Sequence, residues 1–243
     1  MSDREVVLLE PGFVLHQRPY RNTSLLVDCL TGPYGRQTLV AQGARRPGLR
    51  QAAHLQPFRR VRLSWIRRGE LGRLSGIEPD SREFAIHGDA LLAGFYINEL
   101  LLRLVPRGDP SDDVLSCYSS CLERLAGAPD VGRVLRLFEL DFLEALGYRL
   151  DLEHDCRTGQ PIDPDCDYLF EHEGGMTVAI TRGNTETMSG RHLISLRERR
   201  LDDAASLAAA RRLLGRILDS HLGDRPLNTR QVMRAIVDRR RAP

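Results

Sequence analysis

The sequence predicts an α+β protein in which a β-rich segment, residues 1–80, precedes a longer helical segment, residues 81–243. Two observations support this prediction. Up to Pro79, short apolar runs are separated by prolines and glycines, which fix or free the backbone φ angle at turns. After Pro79, apolar residues recur at intervals of three and four, which is the spacing of an amphipathic helix.

Five strands are predicted in the first segment. The alternation is clearest in the fourth, where Val61, Leu63 and Trp65 lie on one face and polar residues on the other. Five strands without a long helix between them predict a small Greek-key barrel or sandwich. Phe58 and Trp65 could stack on bases, but core positions are favoured for both. The predicted strands are 13–18, 25–30, 37–41, 61–66 and 71–77.

Five helices are predicted in the second segment. Ser111 is the expected N-cap of the second helix, followed by acids in the first turn, where the helix dipole favours them. Gly147 is expected to end the third helix. Residues 151–196 are acidic and turn-rich, with two strand-like runs. The predicted helices are 90–104, 112–126, 131–146, 204–222 and 229–240, and the two strands are 168–171 and 176–180.

Composition excludes several classes of protein. Hydrophobic residues make up 42% and charged residues 28% of the 243 residues, which indicates a globular rather than a disordered chain. No apolar run approaches the roughly 20 residues that span a bilayer. The first residues do not resemble a secretory signal, and five irregularly spaced cysteines argue against a disulfide framework. A cytoplasmic location is therefore expected.

The charge distribution indicates a polyanionic partner. All 35 basic residues are arginines, and the net charge is only +2. Residues 1–80 and 197–243 each carry a net charge of +6, whereas 81–150 and 151–196 carry −4 and −6. Such asymmetry favours binding to a polyanion, with solvated surface arginines as the alternative.

The strongest signal is the basic stretch from Arg36 to Arg73, which holds ten arginines and one acid. Part of it is a glycine- and proline-containing loop between two predicted strands. Arginines on such a loop and on an exposed strand face can neutralise phosphates along one groove. A solvated basic face is the alternative. The candidate DNA-binding residues are Arg36, Arg45, Arg46, Arg50, Arg59, Arg60, Arg62, Arg67 and Arg68.

No catalytic residue and no cofactor are expected. The sequence contains no G-x-S-x-G, G-x-x-x-x-G-K-[ST], H-E-x-x-H or G-x-G-x-x-G pattern. A metal-dependent nuclease is a weaker hypothesis. It would place Mg²⁺ on Asp163, Asp165 and Asp167, but no basic residue close by in the sequence would hold a phosphate there.

No metal site is expected either, although two cysteines raise the question. Structural zinc needs four ligands, usually supplied as two close pairs. The positions that would pair with Cys156 and Cys166 hold Gly159 and Asp163, so each pair has one thiol. A mixed site is the alternative, and it would draw on His154, Asp163 or His172.

A set of short strings follows in order along nearly the whole chain. They are V-L-H-Q-R-P-Y-R-N-T-S-L-L-V-D at 14–28, L-V-A-Q-G-A-R at 39–45, L-Q-P-F at 55–58, G-F-Y-I-N-E-L-L at 94–101, R-L-F-E-L at 136–140, L-G-Y at 146–148, T-G-Q-P at 158–161, S-G-R-H-L at 189–193 and L-N-T-R-Q at 227–231. Together they resemble the RecO family of bacterial DNA repair and recombination mediators.

The resemblance implies a fold and a function. The fold would be an N-terminal OB-fold barrel at 1–80 and a helical domain at 81–243 with a zinc-finger-like insertion at about 151–196. Some members bind zinc there through four cysteines, but this insertion has two, so we expect it to be metal-free. RecO-like proteins are not enzymes. They bind single- and double-stranded DNA in the nucleoid and anneal complementary strands.

The resemblance also implies protein partners. With RecR, RecO-like proteins help load the RecA recombinase onto DNA covered by single-strand binding protein, and they grip that protein's acidic C-terminal tail. An OB-fold RNA-binding factor is the alternative function, because a fold alone does not fix the ligand. The helical domain favours the RecO-like function.

The resemblance places the receptor for that tail on the third predicted helix. Arg136 would grip the terminal carboxylate with two parallel hydrogen bonds, and Leu135 would face an apolar stripe beside it. Tyr118 and Leu122 on the preceding helix would form the opposite wall. The alternative is that Leu135 belongs to the core and Arg136 is a surface charge.

Overall fold

The computed structural model describes residues 4–46, 51–69, 71–127, 129–171, 175–180 and 186–241. The chain divides into two compact units: Met1–Ala128 with Leu227–Pro243, and Pro129–Pro226. The second unit is thus inserted into the chain of the first. The predicted domain boundary at residue 80 stays a prediction. In the described part of the chain, no helix has the length and apolar character needed to cross a membrane.

The first unit is built on a closed five-stranded barrel with the strand order β1-β2-β3-β5-β4. β3 and β5 are parallel, the other neighbours are antiparallel, and β1 closes the barrel by pairing with both β2 and β4. This is the Greek-key arrangement of an OB fold, and it confirms the predicted fold class. The strands are β1 (Glu5–Tyr20), β2 (Ser24–Thr31), β3 (Arg36–Ala41), β4 (Arg59–Arg67) and β5 (Gly72–Glu83).

Strand alternation fills the barrel. Val27, Leu39 and Trp65 point inwards and are completely buried, and the edge of the Trp65 ring meets Tyr34 at 5.1 Å between ring centroids. Phe58 is buried as well, so both aromatics are core residues, as predicted. Because successive side chains on a strand point to opposite faces, the even-numbered residues of β4 are directed outwards.

Seven helices lie in the described part of the chain; two of them were not predicted, and two others are each two residues longer than predicted. Within the first unit, α2 packs against β1, α3 and α7. Ser111 caps α3 as expected, since its Oγ accepts from the Val114 N–H at 3.3 Å. The helices are α1 (Gln51–His54), α2 (Gly88–Leu104), α3 (Asp112–Ala126), α4 (Val131–Ala145), α5 (Gly190–Arg197), α6 (Ala204–Leu222) and α7 (Asn228–Arg241).

The second unit combines helices with a small sheet. α4 and α5 both pack on α6. Gly147 follows α4 with a φ of 87°, which an L side chain adopts rarely, so this glycine ends the helix as predicted. The three-stranded sheet has the order β7-β6-β8 and consists of β6 (Asp167–Glu171), β7 (Gly175–Val178) and β8 (Met188–Ser189).

Candidate nucleic-acid interface

The loop that follows β3 presents two exposed arginines from a fixed backbone. The Arg45 N–H donates to the Thr23 carbonyl at 2.9 Å, which ties the loop to the β1–β2 turn, and the Arg46 N–H donates to Gly43 at 2.8 Å. Both arginine side chains are exposed, and neither forms an ion pair with a described residue. Arg50 lies outside the described residues. The loop therefore offers two cations to an incoming anion.

The outer face of β4 supplies further cations. Arg62 is exposed between Pro11 of β1 and Glu78 of β5, and it forms no ion pair with a described residue. Arg68 is exposed just beyond the end of β4. An unpaired guanidinium keeps its five donors available for phosphate oxygens, so these two positions fit the predicted role.

Arg73 is a further exposed arginine that the candidate set did not include. It starts β5, and strand pairing places it between Val40 of β3 and Ile66 of β4. Leu74, the next residue, packs against the barrel core. The sequence signal that could have identified Arg73 is the alternation of side chains along the strand, because an inward Leu74 directs Arg73 outwards.

The remaining four candidates are engaged in the fold. Arg36 Nε donates to the Val105 carbonyl at 2.8 Å, and burial together with the nearby Arg107 charge lowers its pKa. The other three bind a carbonyl or a carboxylate. Arg59 Nη1 lies 3.4 Å from the Ala53 carbonyl, Arg60 Nε lies 3.4 Å from Asp80 Oδ2, and Arg67 Nε lies 3.3 Å from Glu5 Oε2.

Most arginines of the second unit with a described partner bind acids instead. Arg199 Nη2 lies 2.5 Å from Asp141 Oδ1, and Arg200 is paired with Glu198. Arg157 Nη2 lies 2.5 Å from Glu171 Oε1. These charges are largely neutralised locally. The barrel loop and the outer face of β4 carry arginines without an ion pair to a described residue, and such cations are what a phosphate-binding face requires.

The two cysteines of the predicted insertion differ in their exposure. Cys156 is exposed, and Cys166 is half-buried. The turn at Cys156 is organised by the Asp155 carboxylate, which accepts N–H bonds from Arg157, Thr158 and Val178 at 2.7–2.9 Å. Among the described residues no three potential ligands cluster around one point. His172 lies outside them.

Two of the three acids of the nuclease hypothesis, Asp163 and Asp165, form hydrogen bonds or ion pairs within the second unit. Asp163 Oδ1 accepts the Asp165 N–H at 2.8 Å, and Asp165 is paired with Arg191. Sequence proximity could not identify that arginine, because it lies 26 residues further along the chain. His154 is also a surface group, with Nδ1 3.5 Å from Asp151 Oδ2.

The predicted tail-receptor residues are divided between the two units. Arg136 is only 9% exposed, and its Nη2 lies 2.6 Å from Glu139 Oε1, while Leu135 is also buried. Tyr118 and Leu122 belong to the first unit, where both are completely buried. Their role as a tail receptor stays a prediction.

A closed OB barrel with unpaired arginines on a loop and on an outer strand face is typical of nucleic-acid-binding proteins. Comparison with known proteins identifies the family. Residues 6–81 match the family model described as recombination protein O N terminal, and residues 87–231 match recombination protein O C terminal. The chain therefore belongs to the RecO family of DNA repair proteins, which confirms the resemblance, and its role lies in DNA repair.

Individual relatives agree over nearly the full length. DNA repair protein RecO of Nitrosococcus oceani is 42% identical over 229 residues, 93% of each chain. That of Methylococcus capsulatus is 39% identical over 234 residues, 96% of each chain. That of Xanthomonas euvesicatoria pv. vesicatoria is 41% identical over 238 residues, 95% of this chain and 98% of the relative.

Proposed function

We propose that this protein binds single- and double-stranded DNA without sequence preference and anneals complementary strands. We also propose that the protein is not an enzyme. With RecR, it helps load RecA onto DNA that is covered by single-strand binding protein. The observation that supports DNA binding most directly is the set of exposed barrel arginines that have no acidic partner among the described residues, Arg45, Arg46, Arg62 and Arg68.

Annealing sets two physical requirements that these arginines meet. Two polyanionic strands must be screened from each other, and their bases must stay free to pair. Contacts from arginine to phosphate do both, whereas contacts to base edges would occupy the pairing groups. The nine candidate arginines are therefore proposed as phosphate contacts, with the unpaired ones contributing most.

The test compares two pairs of adjacent exposed arginines. Arg45→Ala/Arg46→Ala removes the loop pair, and Arg211→Ala/Arg212→Ala on α6 is the matched control. The loop variant is expected to lose annealing rate and to weaken binding to all DNA sequences about equally. The slope of log affinity against log salt should fall by about 0.7–0.9 for each lost contact. Unchanged binding and annealing by the folded loop variant would contradict the proposal.

The same experiment addresses the RNA-binding alternative. Single-stranded DNA and RNA of one sequence are compared with the wild-type protein, because phosphate contacts alone do not distinguish the two, whereas contacts to the 2′-hydroxyl do. Annealing is then measured on DNA with and without single-strand binding protein. A strong preference for RNA together with no DNA annealing would favour the RNA-binding function.

We further propose that Leu135 and Arg136 on α4 take part in gripping the tail of single-strand binding protein, as the resemblance implies. Arg136→Ala would leave Glu139 buried without its cation, so the variant must be checked for folding. Arg136→Lys retains a charge but loses the planar fork. Both variants are expected to lose tail-peptide binding while annealing of naked DNA stays near normal.

The control for this experiment is Arg149→Ala, because Arg149 is highly exposed and lies 3.9 Å from Glu144. Peptide binding is measured by fluorescence anisotropy, and folding by circular dichroism. If both folded Arg136 variants bound the peptide as tightly as the wild-type protein, the receptor would have to lie elsewhere. Tyr118 and Leu122 would then lose their proposed role as its opposite wall as well.

A further inference from the structure

The first strand of the barrel contains a bulge, and one residue of this bulge has an unfavourable backbone conformation. The register of β1 against β4 shifts between Val7 and Glu10. Leu9 adopts a φ of 52°, a left-handed conformation that a leucine rarely takes. Its N–H is satisfied by Ser64 Oγ at 3.0 Å. Such bulges re-aim side chains and are over-represented at functional positions.

The side chains of the bulge, Leu8 and Leu9, and the nearby Val6 are aliphatic and exposed. Val6 is 50% exposed, Leu8 is 73% exposed and Leu9 is 43% exposed. Ile66 of β4 is half-buried directly opposite Val6. We call these four residues the bulge patch. No other described segment covers them, and a contiguous exposed aliphatic surface usually marks an interaction site.

Cations bracket the bulge patch along the strand direction. Arg62 lies on the outer face of β4 before Ile66, Arg68 lies just beyond the end of β4, and Arg4 immediately precedes β1, two residues before Val6. None of the three arginines is ion-paired with a described residue. On this part of β1, Glu5 is held by Arg67, while Glu10 lies opposite Leu63 at the far end of the bulge. Glu78 of β5 is exposed opposite Arg62, so among the described residues the positive charge without an acid opposite it lies at the Arg4 and Arg68 end of the patch. An occupant that combines aliphatic and acidic side chains would therefore be complementary to this surface.

The aliphatic character of the patch decides between two classes of occupant. Single-stranded nucleic acids are held by stacking bases on aromatic rings, and all four side chains of the bulge patch lack a π-face. Aliphatic side chains pack well against aliphatic side chains, and arginine binds carboxylates in a fixed fork. Nucleic acid is therefore disfavoured at this patch, although arginines at its ends could contact phosphate.

We propose that the bulge patch is a docking site for a partner-protein segment in which aliphatic residues are flanked by acidic residues. This inference rests on the proposed function, because that function requires protein partners in addition to DNA. It assigns the protein contact to the outer face of β1 and β4, whereas the loop pair Arg45 and Arg46 contacts DNA. Arg62 and Arg68 are proposed as phosphate contacts and also flank the bulge patch, so partner binding is measured without DNA.

The test uses Val6→Thr/Leu8→Thr, which keeps residues suited to a strand and removes aliphatic surface without changing charge. Its matched control is Val178→Thr/Ile180→Thr, because those residues are 44% and 99% exposed in the second unit. The probes are purified RecR and full-length single-strand binding protein, titrated by biolayer interferometry, and a DNA oligonucleotide. Circular dichroism establishes that each variant is folded.

The patch variant is expected to lose about tenfold or more in affinity for one of the two proteins, with DNA affinity unchanged, because truncating central contacts typically has such effects. Binding of both proteins at wild-type strength, or an equal loss in the control variant, would overturn the docking site. A parallel loss of DNA affinity would overturn it in favour of nucleic acid. Failure of the wild-type protein to bind either partner would instead contradict the proposed function.

Discussion

Asp155 shows how one side chain can organise a turn in the second unit. Its buried carboxylate accepts N–H bonds from Arg157, Thr158 and Val178, so it joins a tight turn to the end of β7. Burial alone would raise its pKa, but the hydrogen bonds from Thr158, Val178 and Arg157 outweigh burial, and the pKa is lowered. The carboxylate is thus stabilised in its charged form.

Replacing this carboxylate is expected to destabilise the second unit. Asp155→Asn retains one acceptor oxygen and turns an NH₂ group towards a backbone N–H, which should cost about 1–3 kcal/mol of unfolding free energy. Because the folded-state pKa lies below the unfolded value of about 3.9, the stabilisation is present above that value and is lost as pH falls through the folded-state pKa.

Urea unfolding at pH 7 and at pH 3 measures both effects. The difference in unfolding free energy between the wild-type protein and Asp155→Asn should be smaller at pH 3 than at pH 7. Glu153→Gln is the control, because Glu153 is exposed next to the same turn. A variant as stable as wild type at pH 7 would show that the turn does not depend on the carboxylate.

Asn98 and Tyr118 form the second arrangement at the scale of single residues. Asn98 Nδ2 donates to the Leu15 carbonyl of β1 at 2.8 Å, and the Tyr118 hydroxyl donates to Asn98 Oδ1 at 2.7 Å. Both side chains are buried. Tyr118→Phe leaves one acceptor unpaired and should cost about 1–3 kcal/mol of unfolding free energy.

Asn98→Ala should cost more, because it leaves the Leu15 carbonyl and the Tyr118 hydroxyl without partners and also creates a cavity. The two substitutions share one hydrogen bond, so the double variant should be less destabilised than the two single effects added together. Chemical denaturation of the four proteins measures this coupling. Full additivity would mean that the hydrogen bond contributes nothing to stability.

At the scale of elements, α7 is held on α2 by one carboxylate. Glu99 accepts the N–H groups of Asn228 and Thr229 at 2.8 and 2.9 Å and the Thr229 hydroxyl at 2.6 Å. The first N–H groups of a helix have no partner inside it, so Glu99 caps α7 from a different helix. Arg230 adds a contact over the Tyr96 ring, 5.6 Å from its centroid.

Glu99→Gln is therefore expected to loosen α7 without unfolding the barrel. The amide keeps one acceptor but loses the negative charge at the helix N-terminus, so hydrogen exchange of α7 amides should accelerate several-fold while that of β2 and β3 stays unchanged. Glu123→Gln on α3 serves as the control for an exposed acid. Identical exchange in α7 of wild type and Glu99→Gln would contradict the capping role.

Local sequence patterns predicted most of these elements but not the contacts between distant ones. The helix at 204–222 and the start of α4 agree with the structure to the residue, because periodicity and caps are local signals. The first half of β1 was missed, since its bulge interrupts the alternation. The short α5 was missed because one or two turns give little periodicity.

Phe58 shows why such contacts could not be predicted. It adopts a φ of 67°, and it packs so closely on α2 that a Cβ at Gly94 would lie 2.8 Å from its ring. The strings at 55–58 and 94–101 thus contact each other, as do Glu99 and Thr229. In the candidate site, sequence could identify the arginines but not which of them Asp80 or Glu5 neutralises, because those partners depend on strand register.

At the scale of the whole molecule, the arginines differ in whether a carboxylate neutralises them. Arg62 and Arg68 on the barrel have no acidic partner among the described residues, whereas Arg199 and Arg200 in the second unit are paired with acids. A paired guanidinium must give up its carboxylate before it can release a counterion from DNA, so it contributes little to binding. Net charge per unit therefore predicts DNA affinity less well than the number of unpaired cations.

This distinction leads to a prediction with equal changes in net charge. Arg62→Ala/Arg68→Ala and Arg199→Ala/Arg200→Ala each remove two positive charges, yet only the first pair is expected to weaken DNA binding. The salt slope of the first variant should fall by about 0.7 per lost contact on single strands and about 0.9 on duplex DNA. A phosphate that no longer binds an arginine keeps its condensed counterions when the protein binds. The second variant should keep the wild-type slope but unfold at slightly lower urea concentration, since the Arg199–Asp141 and Arg200–Glu198 ion pairs are lost. Fluorescence anisotropy over a range of salt concentrations measures the slopes, and equal slopes for the two variants would show that total charge, rather than its pairing, governs the interaction.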